Sequence, residues 1–491
     1  MTEDEQTVKS QLTESGSHFT ASYSRRNERA NSSEMRQPLL SSSSGNFDDK
    51  KSFEMRDAAS SGDEYVTIEI PPVPSYGVPD NATTTALYIC KEKVLKPYMQ
   101  FLKVSGWRPL ITIIYPSVWK RVVNFMYPVL VLFIIVLGYI VQFAACYSRS
   151  NPGYEYRRGV NGKYIVSCYD HSISSYAIPD ALHIAVYSYC FYLFRWVKTE
   201  QLQILMEKTF LQTKSAKQRG YLSQGKLTAS LRWFLWIGII WISFSLVTQT
   251  LGVASRAIES NRTTFGSIDF TWMKLGHNTG AQYALAIVML LAFMVLDVVY
   301  VGAVVNYITQ CNLLIFLIRG IAERVREKTL SLQHAIKEYT SVGELIKQLN
   351  IELGIAVSIL EFLVGWLTLS AWLSFSKNVV NSSGLLAASM VMNVLQWTPM
   401  ALLPFIYAAR LSNACETIRK IGLEIRARPF GYQDAAQDDL DSFLLFTSSF
   451  SPRAKLFRVP ISAPYLWGAL VLFCFIILLL GQQGFLPSGV F

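Results

Sequence analysis

Residues 281–320 read AQYALAIVMLLAFMVLDVVYVGAVVNYITQCNLLIFLIRG. From Ala281 to Ile318 the run carries one charged side chain, Asp297. As a single helix rising 1.5 Å per residue it would be about 57 Å long, well beyond the ~30 Å hydrocarbon core of a bilayer. A hairpin that turned back inside the lipid would need a chain breaker, and between Val301 and Asn306 there is only Gly302. The expectation is one continuous helix that crosses once, leaves the membrane and keeps an apolar face that other protein must cover.

The rest of the chain fits a membrane setting. Of its 491 residues 51% are hydrophobic, 13% aromatic and only 16% charged, too apolar a balance for a water-soluble protein of this length. The net charge of +10 does not point to nucleic acid, because the Lys and Arg fall between apolar spans as the positive-inside effect requires. Apolar runs of spanning length lie at about 126–146, 178–196, 233–253, 281–307, 355–376, 384–408 and 463–482. The fold class expected is therefore an all-α membrane protein with seven transmembrane helices.

Ahead of them, residues 1–85 are rich in Ser, Asn, Asp and Glu and cannot bury enough surface to fold alone, so they read as a disordered cytoplasmic tail. No cleavable signal pattern precedes the first span. Tyr65–Ile68 (YVTI) and Pro38–Leu40 match short sorting signals, as chance also supplies. Residues 86–125 form a cytoplasmic or interfacial segment, with a helix lying at the interface over Tyr98–Val118. The receptor-like domain follows at 126–482, and 483–491 form a short outer tail.

Charge sets the orientation. The connections at 197–232, 319–347 and 410–460 are rich in Lys and Arg, which places them and the amino terminus inside and the carboxyl terminus outside. The sequons at Asn261 and Asn381 then both face outward, consistent with glycosylation. The 147–177 connection is also outside, where Cys146 and Cys168 either form a disulfide or remain two thiols. Its Arg149, Arg157, Arg158 and Lys163 run against the charge rule. Between spans 4 and 5 the segment Ile321–Leu349 has no Pro and keeps apolar residues at three- and four-residue steps, so helix is expected throughout. Spans 4, 5 and 6 thus project inward as long helices over about 308–354 and 409–462, and self-association would cover their apolar faces. Two acids lie at membrane depth, Asp297 and Glu361, and both are expected near the cytoplasmic boundary in structural roles.

The last span, LWGALVLFCFIILLLGQQGF, ends in two amides, Gln482 and Gln483, with Val471, Cys474, Leu478 and Gln482 on one stripe and Phe475, Leu479 and Gln483 on the next. Several copies around an axis would give a leucine gate below an amide ring; a single copy would simply mark the membrane edge. Reversed seven-span order, inward extensions of spans 4–6, and the block LDSFLLFTSSF, KLFRVPIS and a final helix ending in Gln together resemble the insect gustatory and odorant receptor superfamily and its gustatory receptor-like relatives. In that family the last helix ends Thr-Tyr, five apolar residues, Gln-Phe. Aligning Gln482 with the family Gln puts Phe475, Ile476 and Gln483 at the other motif positions.

The resemblance implies a plasma-membrane chemoreceptor, a taste-receptor-like homotetramer or hetero-oligomer acting as a ligand-gated non-selective cation channel. The gate would fall on Leu478 or Leu479 with Gln482 and Gln483 at the mouth. A small, mostly apolar ligand would bind among spans 2, 3, 4 and 6, at His183, Tyr187, Thr248, Tyr283 and Asn393 with Trp397 deeper. Each of these residues also suits ordinary helix packing. Two further readings stay open: a non-conducting receptor with a developmental or signalling role, and a small-molecule transporter, although no internal repeat supports the latter. Five His, no HExxH and no Gly-rich phosphate loop argue against an enzyme, and no cofactor or metal is expected.

Overall fold

The computed structural model describes Tyr88 and residues 91–111, 118–144, 147–149, 156–158, 164–166, 173–197, 200–216, 224–259, 279–378, 384–427 and 437–480. Outside them lie the tail 1–85, the terminal 483–491, Asn261, Asn381, Cys146, Cys168, Gln482, Gln483 and the side chain of Tyr283. The described residues all belong to one compact unit, Ser75–Phe491.

The described residues are almost wholly helical. In order it forms α1 (Lys96–Val104), α2 (Val118–Ala144), α3 (Ile178–Phe191), α4 (Gln201–Ala216), α5 (Gln224–Glu259), α6 (Thr279–Arg326), α7 (Leu332–Ile351), α8 (Leu353–Asn378), α9 (Gly384–Ala427), α10 (Gln437–Ser449) and α11 (Ala463–Leu480). Two small antiparallel hairpins interrupt it, β1 (Tyr156–Arg158) with β2 (Tyr164–Val166) and β3 (Lys455–Leu456) with β4 (Val459–Pro460). Wide π turns at Ile173–Ala177 and Tyr192–Trp196 extend α3 at both ends. Among the described residues five helices are long and apolar enough to cross a membrane: α2, α5, α6, α8 and α9. Among the described residues α11 adds a shorter apolar helix, and the extended α3 lies where a further span was expected.

The disputed run is one helix. α6 continues for 48 residues without a break, about 72 Å at helical rise. It is also the centre of the molecule, packing on α2, α4, α5, α7, α8 and α9. From Val299 to Ile315 every side chain is buried, the polar Asn306, Thr309, Gln310 and Asn312 among them, so the helix is covered all round. That corrects, for α6, the expectation of an apolar face that other protein must cover. The cover comes largely from this chain itself: Ile321 and Val325 of α6, Ala335 and Tyr339 of α7, Ile418 and Ile421 of α9, and Phe443 of α10 line one apolar interior.

Helix does not continue from Ile321 to Leu349 as the periodicity suggested. α6 ends in a two-bond cap, Lys328 N–H to Val325 O (3.1 Å) and Thr329 N–H to Arg324 O (3.0 Å), with Lys328 at φ 59° in the left-handed position that Gly usually fills. Arg324 and Arg326 lie in the last turn, where positive charge suits the helix dipole. Ser331 then caps α7 by accepting from His334 N–H (3.4 Å). α7 packs back against α6, and Arg324 pairs with Glu338 across the turn. A second bend at Glu352 (φ −85°, ψ −82°) separates α7 from α8.

The amino-terminal segment also differs from expectation. α1 ends at Val104 rather than reaching 118, and a turn through Gly106 (φ +79°) drives Trp107 into the protein. Trp107 stacks on Phe194 at 5.7 Å, and its ring lies against Gly302 of α6. Tyr98 of α1 donates to Leu231 O at 3.1 Å and lies 2.5 Å from Thr309 Oγ1, fastening α1 to α5 and α6. In α2, Pro128 lacks the N–H that would satisfy Asn124 O, and Arg195 Nη2 supplies the donor at 2.6 Å.

Candidate functional site

Small residues let the helices of the membrane region close on one another. An added Cβ at Gly138 of α2 would lie 2.9 Å from Ala292 Cβ, and one at Gly238 of α5 2.5 Å from Val301 Cγ1. Both glycines therefore mark backbone approach to α6 of the kind that packs membrane helices. Just beyond those contacts, between α2, α3, α5, α6 and α9, lies a continuous buried cluster of polar and aromatic side chains.

Arg149 enters this cluster from the connection that follows α2. Its Nη2 lies 2.5 Å from Asp297 Oδ1 on α6 and 3.1 Å from Ser245 Oγ on α5, and the pair is essentially closed to solvent. The guanidinium also sits over the rings of Phe293 (4.9 Å) and Trp397 (5.3 Å). A cation between two aromatic faces and a carboxylate is held by ring quadrupoles and charge together, in a setting of low dielectric. Ser245 Oγ accepts again from Gln396 Nε2 at 2.8 Å. One hydroxyl thus links α5, α9 and the incoming arginine.

The aromatic side of the cluster is equally connected. Trp397 Nε1 donates to Asn393 Oδ1 at 2.9 Å, one turn earlier on α9. The Trp397 ring meets Trp241 and Tyr300, each at 5.8 Å. Tyr300 stands edge-on to His183 at 4.7 Å, and His183 Nδ1 lies 3.3 Å from the Tyr139 hydroxyl. Tyr147, two residues before Arg149, donates to Gln249 Oε1 at 2.9 Å.

Of the residues expected to line a ligand site, Asn393 and Trp397 touch, and Tyr300 joins them to His183. Tyr187 lies elsewhere: its hydroxyl donates to Pro128 O at 3.1 Å and its ring tilts on Trp107 at 6.4 Å. Thr248 is buried and bonds back to Phe244 O of its own helix at 2.9 Å. The sequence reading missed Arg149, Ser245, Phe293, Tyr300 and Gln396. Asp297 meets Arg149, from the connection that follows α2. The available signal was the arginine that ran against the charge rule, matched with an acid inside an apolar run. Glu361, the second acid, is buried on α8, and neither carboxylate oxygen has a hydrogen-bond partner among the described residues.

The candidate gate residues sit on a different kind of surface. Leu478 and Leu479 on α11 are 64% and 42% exposed, and Tyr465, Trp467, Val471, Leu472 and Phe475 are exposed as well. α11 packs on α8 and α9 alone among its more extensive contacts. An apolar helix left this open requires lipid or another chain around it.

No family model and no curated protein matches the sequence. Among solved structures the chain is similar to the insect olfactory receptor OR5 from Machilis hrabei, with a TM-score of 0.52 and 11% identity, over 81% of this chain and 100% of that one. The same receptor in complex with eugenol gives a TM-score of 0.48 at 11% identity, over 80% and 99% of the two chains. At this identity the likeness is one of fold.

Proposed function

We propose that this chain, which has the fold of an insect olfactory receptor, is a multi-pass chemoreceptor of the plasma membrane that works as a ligand-gated, non-selective cation channel. Its seven spans would be α2, the extended α3, α5, α6, α8, α9 and α11, with the amino terminus cytoplasmic. Four copies would surround a pore lined by α11, with Leu478 or Leu479 as the gate and Gln482 and Gln483 at the outer mouth. The observation that carries this reading is the pairing of two features on one receptor fold: a buried polar-aromatic cluster among the helices and an apolar last helix almost bare of cover. The first suits small-molecule recognition. The second suits a helix completed by its own copies.

A ligand would act at the cluster around Trp397, Asn393, His183 and Tyr300, where opening or reinforcing the Arg149–Asp297 pair would shift α6 against α5 and α9. Only a ligand with different affinity for the two arrangements can bias them. A non-conducting receptor is the second reading, favoured by the occupation of the cluster's polar end by Arg149 itself. Currents recorded from cells expressing the full chain, with and without Gln482→Lys, separate the two. Altered cation selectivity in the variant supports the channel; absence of current from both chains, with each at the cell surface, favours the non-conducting receptor.

A further inference from the structure

At the elbow between α7 and α8 a groove of about 1180 Å³ opens beside the β3–β4 hairpin. The stretch of α8 long and apolar enough to cross a membrane begins at Leu353, immediately after the bend at Glu352. One wall climbs this stretch through Ile355, Ile359 and Phe362, about 10 Å at helical rise. Phe362 is 56% exposed and Ile355 38%, so the wall presents apolar surface that lipid would cover.

The other end of the groove is basic. Lys347, Arg453, Lys455 and Arg458 line it, against one acid among the described lining residues, Glu344, which is already 3.6 Å from Lys347. The hairpin holds its charges outward through its backbone. Asn350 Nδ2 donates to Arg453 O (2.9 Å) and Asn350 Oδ1 accepts from Lys455 N–H (2.8 Å), while Ser358 Oγ accepts from Phe457 N–H (2.8 Å). Ala454 and Leu456 are fully buried, so strand alternation turns Arg453 and Lys455 to the surface. The two-residue turn puts Phe457 (φ 53°) and Arg458 (φ 62°) in the left-handed region, where Asn-Gly is the usual choice. A bulky aromatic and an arginine are kept there at a cost in backbone strain.

We infer that this groove binds an anionic phospholipid, its phosphate-bearing headgroup held by Arg453, Lys455 and Arg458 and its acyl chains lying along Ile355, Ile359 and Phe362. Charge complementarity selects the occupant, because basic side chains at a membrane boundary attract anionic headgroups while an apolar wall running into the bilayer accepts the tails. The inference needs α8 to cross the membrane and is independent of whether the chain conducts.

The test uses the purified full chain in mixed micelles containing equal phosphatidylserine and phosphatidylcholine of the same acyl chains, with retained lipid read by native mass spectrometry. The wild-type chain should retain phosphatidylserine preferentially, and Arg453→Ala/Lys455→Ala/Arg458→Ala should lower that preference about a hundredfold if each basic side chain is worth what such groups are near an anionic surface. Lys337→Ala/Lys420→Ala, which removes exposed charge elsewhere, should leave the preference unchanged. The three alanines spare the backbone bonds to Asn350; if the triple variant does not fold, Arg458→Ala alone should give a smaller loss of the same sign. An unchanged preference in a folded variant overturns the inference. So does displacement of the lipid by inorganic phosphate, which indicates a free-anion site, or a changed oligomer size with unchanged lipid retention, which indicates an interface between copies.

Discussion

Arg149 and Asp297 stand 148 positions apart in sequence and meet at 2.5 Å in the buried centre of the molecule. The contact ties the connection after α2 to the central helix α6. Taking two charges out of water is costly, and their attraction offsets the cost only while both are present.

Removing either partner alone should therefore destabilise the fold strongly. Arg149→Ala or Asp297→Ala should each cost roughly 3–5 kcal/mol, whereas Arg149→Met/Asp297→Leu should cost much less than the two single changes added. Thermal unfolding of the purified chain in detergent measures all three. Strict additivity would mean that the ion pair does not exist.

Glu361 should behave in the opposite way. Its carboxylate is buried without a hydrogen-bond partner among the described residues, so the uncharged, similarly shaped Glu361→Gln should leave stability unchanged or raise it by up to about 1 kcal/mol. A loss of more than about 2 kcal/mol would reveal an ionised carboxylate with a partner. The same unfolding measurement decides.

Two helical glycines offer a paired comparison. A Cβ at Gly343 of α7 would run into Cζ of the Phe450 ring, while one at Gly365 of α8 would meet nothing within 4 Å. Gly343→Ala should cost about 1–3 kcal/mol through overpacking where Phe450, which follows α10, packs on α7. Gly365→Ala should be neutral or stabilising by up to about 1 kcal/mol, since Ala is the better helix former. Melting temperatures that move in the reverse order would contradict the packing described.

The continuity of α6 was legible in the sequence, because the absence of Pro and of paired turn residues through Val301–Asn306 leaves helix as the way to satisfy the backbone. Its end was not. Lys328 takes a conformation that composition assigns to Gly, so no breaker marked the turn before Ser331. Trp397 and Asn393 were legible as neighbours because a spacing of four places them on one helix face. Arg149 with Asp297 was not, since pattern reading along a chain carries no register between distant segments. The same limit separated Tyr187 from the cluster, since the direction in which its side chain turns depends on packing. Covering of the end of α6 by α7, α9 and α10 was hidden likewise, because an apolar face in sequence does not say whether its partner lies in the same chain.

In the proposed arrangement the side on which every element lies follows from a single passage of α6 through the bilayer. Small epitope tags at the two ends of the full chain, probed with antibody before and after permeabilising the cells that express it, measure this directly. The amino-terminal tag should become accessible only after permeabilisation and the carboxyl-terminal tag should be accessible on intact cells. Access to both from the same face would contradict the seven-span arrangement and the pore built on α11.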